Sequence, residues 1–292
     1  MIRPTLRGAL ALAALASFIP PASAANAPAP PQADPKCLAS YQAVGLPREN
    51  SDDNDAKQVV LCRMGYALSF NTDTRNPDWA IEHLTKASMT KKVARQDAFQ
   101  EDPDLKKVQP GMSAVLPDYA GQTVYQRGHQ APAEDFAYSR DAMNQSFYLS
   151  NMSPQWGTLN GGLWSRIENE ARQWVKCDKA DELYVITGPV YGGATKRLAA
   201  PRQNKDIKTA ADAHRVLVPD YYYKIVYDPV AHQSVAFQVP NQSVNGHKMQ
   251  EYITTIQAIE DATGITFLSG LGARGQRQQE GVKGTLWGHD SC

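Results

Sequence analysis

Between Tyr125 and Trp174 the chain carries Arg127-Gly128-His129, then Asn151, Asn160, Glu168 and Arg172. Attack of water on a phosphodiester needs a base to take a proton. It also needs a cation to offset charge on the phosphoryl and leaving oxygens, and fixed donors to hold the phosphate. His129 suits the base, because an imidazole of pKa about 6.5 is available in neutral form near neutral pH. Arg127 lies two residues earlier, so on an extended chain both side chains share a face. Gly128 reads as a tight turn beside the base. The amide oxygen of Asn160 suits a hard cation such as Mg2+, which keeps several waters and takes few protein ligands. Glu168, two helical turns on, can bond those waters. Arg172, one turn further in the favourable acid-before-base order, can reach a phosphate oxygen. Singly, each residue has a plainer use: a structural histidine, a helix cap at Asn160, a surface ion pair between Glu168 and Arg172. Their joint order and spacing favour the chemical reading.

The elements that position these residues follow from periodicity. Leu163, Ile167, Ala171 and Trp174 recur at helical spacing after Asn160, which is expected to open that helix. Tyr138 to Met143 reads as a short helix and Gln145 to Ser150 as a strand. Tyr66 to Phe70, a turn from Asn71 to Asn76, and Pro77 to Leu84 read as an antiparallel hairpin. His83 in its second strand reads as a packed or surface histidine. Glu182 to Tyr191 reads as a short buried strand ended by Gly188-Pro189. Arg215 to Val218 reads as a brief strand. Tyr221 to Tyr227 and Ser234 to Val239 form a second hairpin, turning at Asp228-Pro229. Lys248 to Thr263 is expected to be one helix through Met249, Ile253, Ile256 and Ile259. Residues 85–124 read as polar loop, and 268–292 as a Gly-, Arg- and Gln-rich tail with little regular structure. Together these make an α+β chain around a mixed, mainly antiparallel central sheet.

Residues 1–24 read as an export signal: Arg3 and Arg7, an apolar run from Gly8 to Phe18, two prolines, then Ala22-Ser23-Ala24. The apolar run is shorter than the roughly 20 residues that span a bilayer, and no later stretch is long and apolar enough. A periplasmic or secreted location follows, with no membrane partner. Residues 25–36, rich in Ala and Pro, read as a disordered leader, and 37–292 as a single domain. The chain has 30 basic and 30 acidic residues; losing Arg3 and Arg7 leaves a mature net charge of −2. A strongly basic nucleic-acid wrapper is excluded, so any polyanion must be met by local positive potential. Four cysteines in an exported chain favour disulfides. The preferred pairing is Cys37–Cys62 and Cys177–Cys292, the first stapling a surface segment and the second tying down the tail. A zinc site is disfavoured because no Cys-x-x-Cys occurs.

Several of these residues together resemble the DNA/RNA non-specific endonuclease family, the ββα-metal nucleases of the endonuclease G type. The resemblance is carried by Arg127-Gly128-His129, Phe147-Tyr148-Leu149-Ser150-Asn151, Pro154-Gln155, Leu159-Asn160, Trp164 and Glu168. It runs closely from Val124 to Tyr191 and loosely from Tyr66 to Thr263. It implies a ββα-metal module at the edge of the sheet. His129 would be the general base, Asn160 the direct metal ligand, and Glu168 a ligand through water. Arg127 and Arg172 would hold the phosphate or transition-state charge, Asn151 would stand behind the base, and Arg95 matches an upstream phosphate-contacting arginine. The resemblance also implies one Mg2+, with Mn2+ able to substitute, DNA and RNA as substrates, and 5′-phosphate products. A homodimer and a protein inhibitor are both compatible with it. The family's Asp before Arg-Gly-His is replaced here by Gln126, which is expected to lower the pKa of His129 by removing a nearby carboxylate. Two other readings stay open: a non-catalytic nucleic-acid- or partner-binding protein on the same scaffold, and a phosphodiesterase for a small or lipid substrate.

Overall fold

The computed structural model describes residues 38–50, 57–177, 179–193, 196–198 and 215–288. The expected signal, leader, Cys37 and Cys292 lie outside them. Its strands are β1 (Arg48–Glu49), β2 (Gln58–Cys62), β3 (Tyr66–Asn71), β4 (Asn76–Thr85), β5 (Tyr125–His129), β6 (Met152–Trp156), β7 (Glu182–Val190), β8 (Tyr221–Asp228), β9 (Gln233–Pro240), β10 (Ile253–Thr254) and β11 (Ile265–Thr266). Its helices are α1 (Pro103–Val108), α2 (Arg140–Ser146), α3 (Ser165–Lys176), α4 (Ile256–Thr263) and α5 (Gly272–Glu280). Seven strands form the central sheet in the order β10-β9-β8-β7-β4-β3-β2, every neighbour antiparallel. β5 and β6 make a separate two-stranded ribbon.

Alternation along the central strands explains how one sheet is covered twice, since successive side chains leave a strand on opposite faces. Leu183 and Val185 of β7, Tyr222 and Val226 of β8, and Phe237 of β9 face one layer. There they meet Leu163, Ile167, Ala171 and Trp174, the stripe read from the sequence. Tyr184 and Ile186, Tyr223 and Ile225, and Ala236 face the other layer, against Ile256 and Ile259 of α4. α3 is therefore clamped to the sheet by its apolar face, and its flank carrying Glu168 is fixed in azimuth. Trp174 is held further by its Nε1–H donating to Trp287 O at 2.6 Å.

Both expected hairpins are present. Several other expectations change, each for a local reason. Gln145 to Ser150 is not a strand. Ser139 caps α2 by accepting from Ala142 N, the helix runs to Ser146, and a 3-10 turn follows at Leu149–Asn151; burial of alternate apolar residues there comes from turns. The strand comes later, as β6. β7 runs through Gly188-Pro189 to Val190, because Gly188 lets the neighbouring chain approach: a Cβ there would stand 2.3 Å from Asp78 O. The single helix expected from Lys248 divides. Ile253–Thr254 pairs with Phe237 and Ala236 of β9, and Thr255 then caps α4 by accepting from Ala258 N at 3.1 Å. Arg215 to Val218 contributes one isolated bridge, Arg197 to Leu217.

Two supposed loops also hold structure. Asp102 starts α1 by accepting from Asp104 N and Leu105 N and pairs with Arg63. The tail forms α5, docked by amides rather than an apolar stripe: Gln276 Nε2 donates to Phe267 O and Gln279 Nε2 to His232 O, each at 2.9 Å. The segment expected to be stapled at Cys62 supplies β2, an edge strand of the main sheet. Cys62 and Cys177 are disulfide-bonded; their expected partners lie outside the described residues. His83 is a packed histidine, stacked on Tyr184 with ring centroids 4.4 Å apart and Nε2 2.6 Å from Glu182. Among the described residues no helix is long and apolar enough to cross a membrane.

Candidate active site

The β5–β6 ribbon presents the base. Gly128 sits in extended strand, and a Cβ there would stand 2.5 Å from Oε1 and 2.6 Å from Cβ of Gln155. The glycine is thus demanded by close approach of the neighbouring strand, correcting the tight turn expected from sequence. On either side of it, Arg127 and His129 both meet Phe99. The Arg127 guanidinium lies 3.9 Å from the Phe99 ring centroid, and the His129 ring 5.8 Å from it. Phe147 packs edge-on against His129 at 4.9 Å and carries Arg95 at 5.1 Å over its own ring. Two phenylalanines therefore enclose the imidazole, and each bears a guanidinium.

This cage arises from distant segments brought together by backbone bonds. Gln100 N donates to Phe147 O at 3.3 Å, and Leu149 N to Gln100 O at 2.9 Å, which sets Phe99 beside Phe147. His129 is 9% exposed, and its Nε2 has no hydrogen-bond partner among the described residues. Burial first, then the charges of Arg95 and Arg127, push its pKa down to about 3. The imidazole is neutral throughout the physiological range.

Asn160 lies in a wide π-type turn, Leu159–Trp164, immediately before α3. The chain departs from helical geometry at Gly162, with φ −115 and ψ −105, so Asn160 opens the helical segment in the π-type turn ahead of this kink, before α3 proper begins at Ser165. Its Nδ2 donates to Oε1 of Gln126 at 2.8 Å. An amide that spends its nitrogen in this way keeps its oxygen as an acceptor. Both residues line a cavity of about 520 Å3 together with Arg95, Phe99 and Arg127. Gln126 therefore acts on Asn160, whereas the sequence had suggested an effect on His129.

Glu168 stands in the first turn of α3. Burial raises its pKa to about 7, Asp135 adding to the effect and Lys224, Arg172 and Arg95 opposing it. Arg95 thus lies within electrostatic reach of both His129 and Glu168. Arg172 is buried and donates from Nη1 to Oδ1 of Asp135 at 2.8 Å. It is not half of a surface pair with Glu168. Asn151 is fully buried and brackets the chain after His129: its Oδ1 accepts from Ala131 N at 3.0 Å, and its Nδ2 donates to Ala131 O and Ser146 O at 2.9 Å. The structure thus places Arg95, Arg127 and Asn160 around one cavity, His129 behind Phe99, and Arg172 and Asn151 in buried supporting contacts.

Sequence reasoning missed Phe99, Phe147 and Asp135 as parts of this site. It also missed a buried charge cluster beneath it, Glu82 and Lys224 with Asp135, Glu168 and Arg172. Burial drives Glu82 upward and Lys224 downward; Lys224 donates to Thr187 Oγ1 and lies 5.1 Å from the Trp164 ring centroid. A visible sign was Lys224 inside the apolar run Tyr-Tyr-Tyr-Lys-Ile-Val-Tyr.

The donor set fits a hard cation. Among the described residues no group of three or more His, Cys, Asp or Glu side chains could hold a metal; the oxygen donors available are the Asn160 amide at the cavity and the buried Glu168 carboxylate, which shares Arg95 as a neighbouring charge with His129. Oxygen donors in small number suit an ion that retains its own water.

Comparison with known proteins bears on the family and the fold. The sequence matches the family described as DNA/RNA non-specific endonuclease over residues 48–274. It is 31% identical over 276 residues to a mitochondrial nuclease EXOG of Xenopus laevis, covering 90% of this chain and 68% of that protein. It is 33% identical over 231 residues to nuclease C1 of Cunninghamella echinulata var. echinulata, covering 75% and 86%. It is 29% identical over 237 residues to a nuclease of Serratia marcescens, covering 78% and 80%. The fold is similar to that in a crystal structure of the EndoG/EndoGI complex, described as revealing the mechanism of EndoG inhibition. That likeness has a TM-score of 0.61 and 27% identity, covering 77% of this chain and 91% of that one. The sheet, the ribbon-and-helix module and the matched span make this chain a member of the DNA/RNA non-specific endonuclease family.

Proposed function

We propose that the chain is an exported endonuclease that hydrolyses phosphodiester bonds of both DNA and RNA with one Mg2+, leaving 5′-phosphate and 3′-hydroxyl ends. The observation that carries this reading is the neutral, unpartnered imidazole of His129 behind a cavity rimmed by two guanidiniums and the amide oxygen of Asn160. His129 takes the proton of the attacking water. Arg127 and Arg95 hold the phosphate, and Arg172 adds fixed positive charge beside Glu168. Asn151 positions the chain that follows the base. Asn160 would hold the Mg2+ directly and Glu168 through its water. When bound, the cation supplies positive charge against the phosphoryl and leaving oxygens.

The signal-like residues 1–24 and the bonded Cys62 and Cys177 support export, with Cys37 and Cys292 as the proposed partners in the single domain 37–292. A protein inhibitor is proposed from the likeness to a nuclease solved with one.

Digestion of plasmid DNA and of RNA, with Mg2+ and then with EDTA, tests the proposal. Cleavage of both substrates only with Mg2+, and products that ligate without added kinase, are expected. Binding without cleavage under every condition would overturn it.

Two outcomes follow from local geometry. Gln126→Asp keeps an acceptor facing Asn160 Nδ2 and adds a negative charge beside the proposed ligand. Cation affinity is expected to rise about three- to tenfold, since opposite charges in a partly shielded cavity gain on the order of 1 kcal/mol. Calorimetric titration with Mn2+ checks this, and equal or weaker binding would show that residue 126 does not act on the cation.

The second outcome concerns pH. A carboxyl whose pKa is raised stays protonated to higher pH, so Glu168 is largely protonated below about 7 in the cation-free protein. Proton and cation then compete, and affinity is expected to fall about tenfold per pH unit below that point. Mn2+ titrations at successive pH values should show this slope in the parent protein and lose it in Glu168→Gln.

A further inference from the structure

A second cavity, of about 460 Å3, shares Tyr125 as a wall with the catalytic cavity. That volume lies within the range of small-ligand sites. Lys196 stands at the shared wall: its Nζ is 2.8 Å from Tyr125 Oη and 4.9 Å from the ring centroid. Among the described residues it makes no ion pair. Tyr221, 38% exposed, lines the same cavity, as do Asp220 and Gln242.

The floor is rigidly joined to the catalytic ribbon. Asn241, which also lines this cavity, accepts from Trp156 N at 2.8 Å and donates from Nδ2 to Pro154 O and Pro219 O, both at 2.9 Å. Tyr222 Oη donates within the same region, lying 2.8 Å from Ser153 Oγ and 2.9 Å from Pro154 O. The strand that pairs with the base-bearing strand therefore fixes the second cavity relative to the first. Asp220 Oδ2 accepts from Gly192 N at 2.8 Å, which fixes the carboxylate at the cavity wall.

A polymer cut internally must leave the catalytic cavity on both sides of the scissile bond. Tyr125 is the wall across which the second cavity adjoins the first. Cavities that combine a cation with an aromatic face bind single-stranded nucleic acid with little sequence preference, because every base has a stacking face.

We propose that this second cavity is a nucleotide subsite for the unit adjoining the scissile phosphate. Lys196 takes the neighbouring phosphate at the Tyr125 wall, Tyr221 stacks the base, and Asp220 with Gln242 meets sugar hydroxyl and base amino groups. The subsite deepens the nuclease reading and rests on it.

Lys196→Ala and Tyr221→Ala test it, with a single-stranded oligonucleotide of about ten residues and with bis(4-nitrophenyl) phosphate, too small to cross Tyr125. Each variant is expected to raise KM for the oligonucleotide about tenfold, with kcat within about twofold and with the small diester cleaved as by the parent protein. Equal losses on both substrates, or unchanged KM for the oligonucleotide in both variants, would overturn the subsite. Should the parent protein cleave neither substrate, the nuclease reading itself fails. Fluorescence anisotropy of the labelled oligonucleotide in EDTA then decides the subsite alone: weaker binding by both variants supports it, and parental affinity removes it.

Discussion

His129→Ala is expected to lower kcat on plasmid DNA by about 10^2- to 10^4-fold, the usual range for loss of a general base. KM is expected to change far less, because phosphate binding is assigned to Arg127 and Arg95 at the cavity rim. The imidazole is an apt target because it is already neutral: burial and two guanidiniums hold its pKa near 3. The base therefore requires no deprotonation between pH 5 and 8, and an acid limb in that window belongs to Glu168.

The same depressed pKa has a stability signature. Below about pH 6.5 the unfolded chain takes up a proton on this histidine, while the folded chain refuses it until about pH 3. The parent protein thus loses stability as pH falls through that window, and His129→Ala is spared that share of the loss. Paired kinetics and urea denaturation at pH 7 and pH 4.5 check both parts. A variant with parental kcat would remove His129 from the chemistry.

The largest expected effect on stability is from Arg172→Ala. Removing one member of a buried ion pair leaves the other charge without compensation, at a cost of about 3–5 kcal/mol. Here the abandoned partner is Asp135, 3% exposed, and the site already holds Glu82 and Glu168. The Tm is expected to fall on the order of 10 °C. Asp135→Asn in the Arg172→Ala background should recover part of the loss, because a neutral amide is cheaper to bury unpaired than a carboxylate. Calorimetry on the two single variants and the double variant checks the coupling. Strict additivity would mean that the 2.8 Å contact contributes little.

Much of the scaffold was legible because its signals are periodic. Leu163, Ile167, Ala171 and Trp174 face the sheet as their spacing requires, and the two hairpins alternate as read. Of the residues chosen for chemical type and order, Arg95, Arg127 and Asn160 line one cavity and His129 packs on Phe99 of its wall, because the order Arg-Gly-His, Asn, Glu carries a ribbon and then a helix. What stayed hidden depends on contacts between distant segments. Nothing local marks Phe99 as half of a cage, since its partner Phe147 is reached through backbone bonds from Gln100. Asp135 sits in a short 3-10 turn, Ala133–Phe136, and acquires meaning only opposite Arg172. Ile253 matched a helical period by coincidence, and its pairing with β9 decided its conformation. Gln126 looked like a substitution beside the base, yet side chains alternate along a strand, and position 126 faces Asn160 instead.

Arg95 has one more effect, because its charge reaches both His129 and Glu168. Its charge holds both proton affinities down. A polyanion lying against that guanidinium would cancel part of this field; Glu168, with its pKa near 7, would then attract hydrogen ions more strongly, while His129, held near 3 chiefly by burial, stays neutral. Arrival of the nucleic acid is thus coupled to proton uptake from the medium, detectable as a dependence of binding heat on the ionisation enthalpy of the buffer.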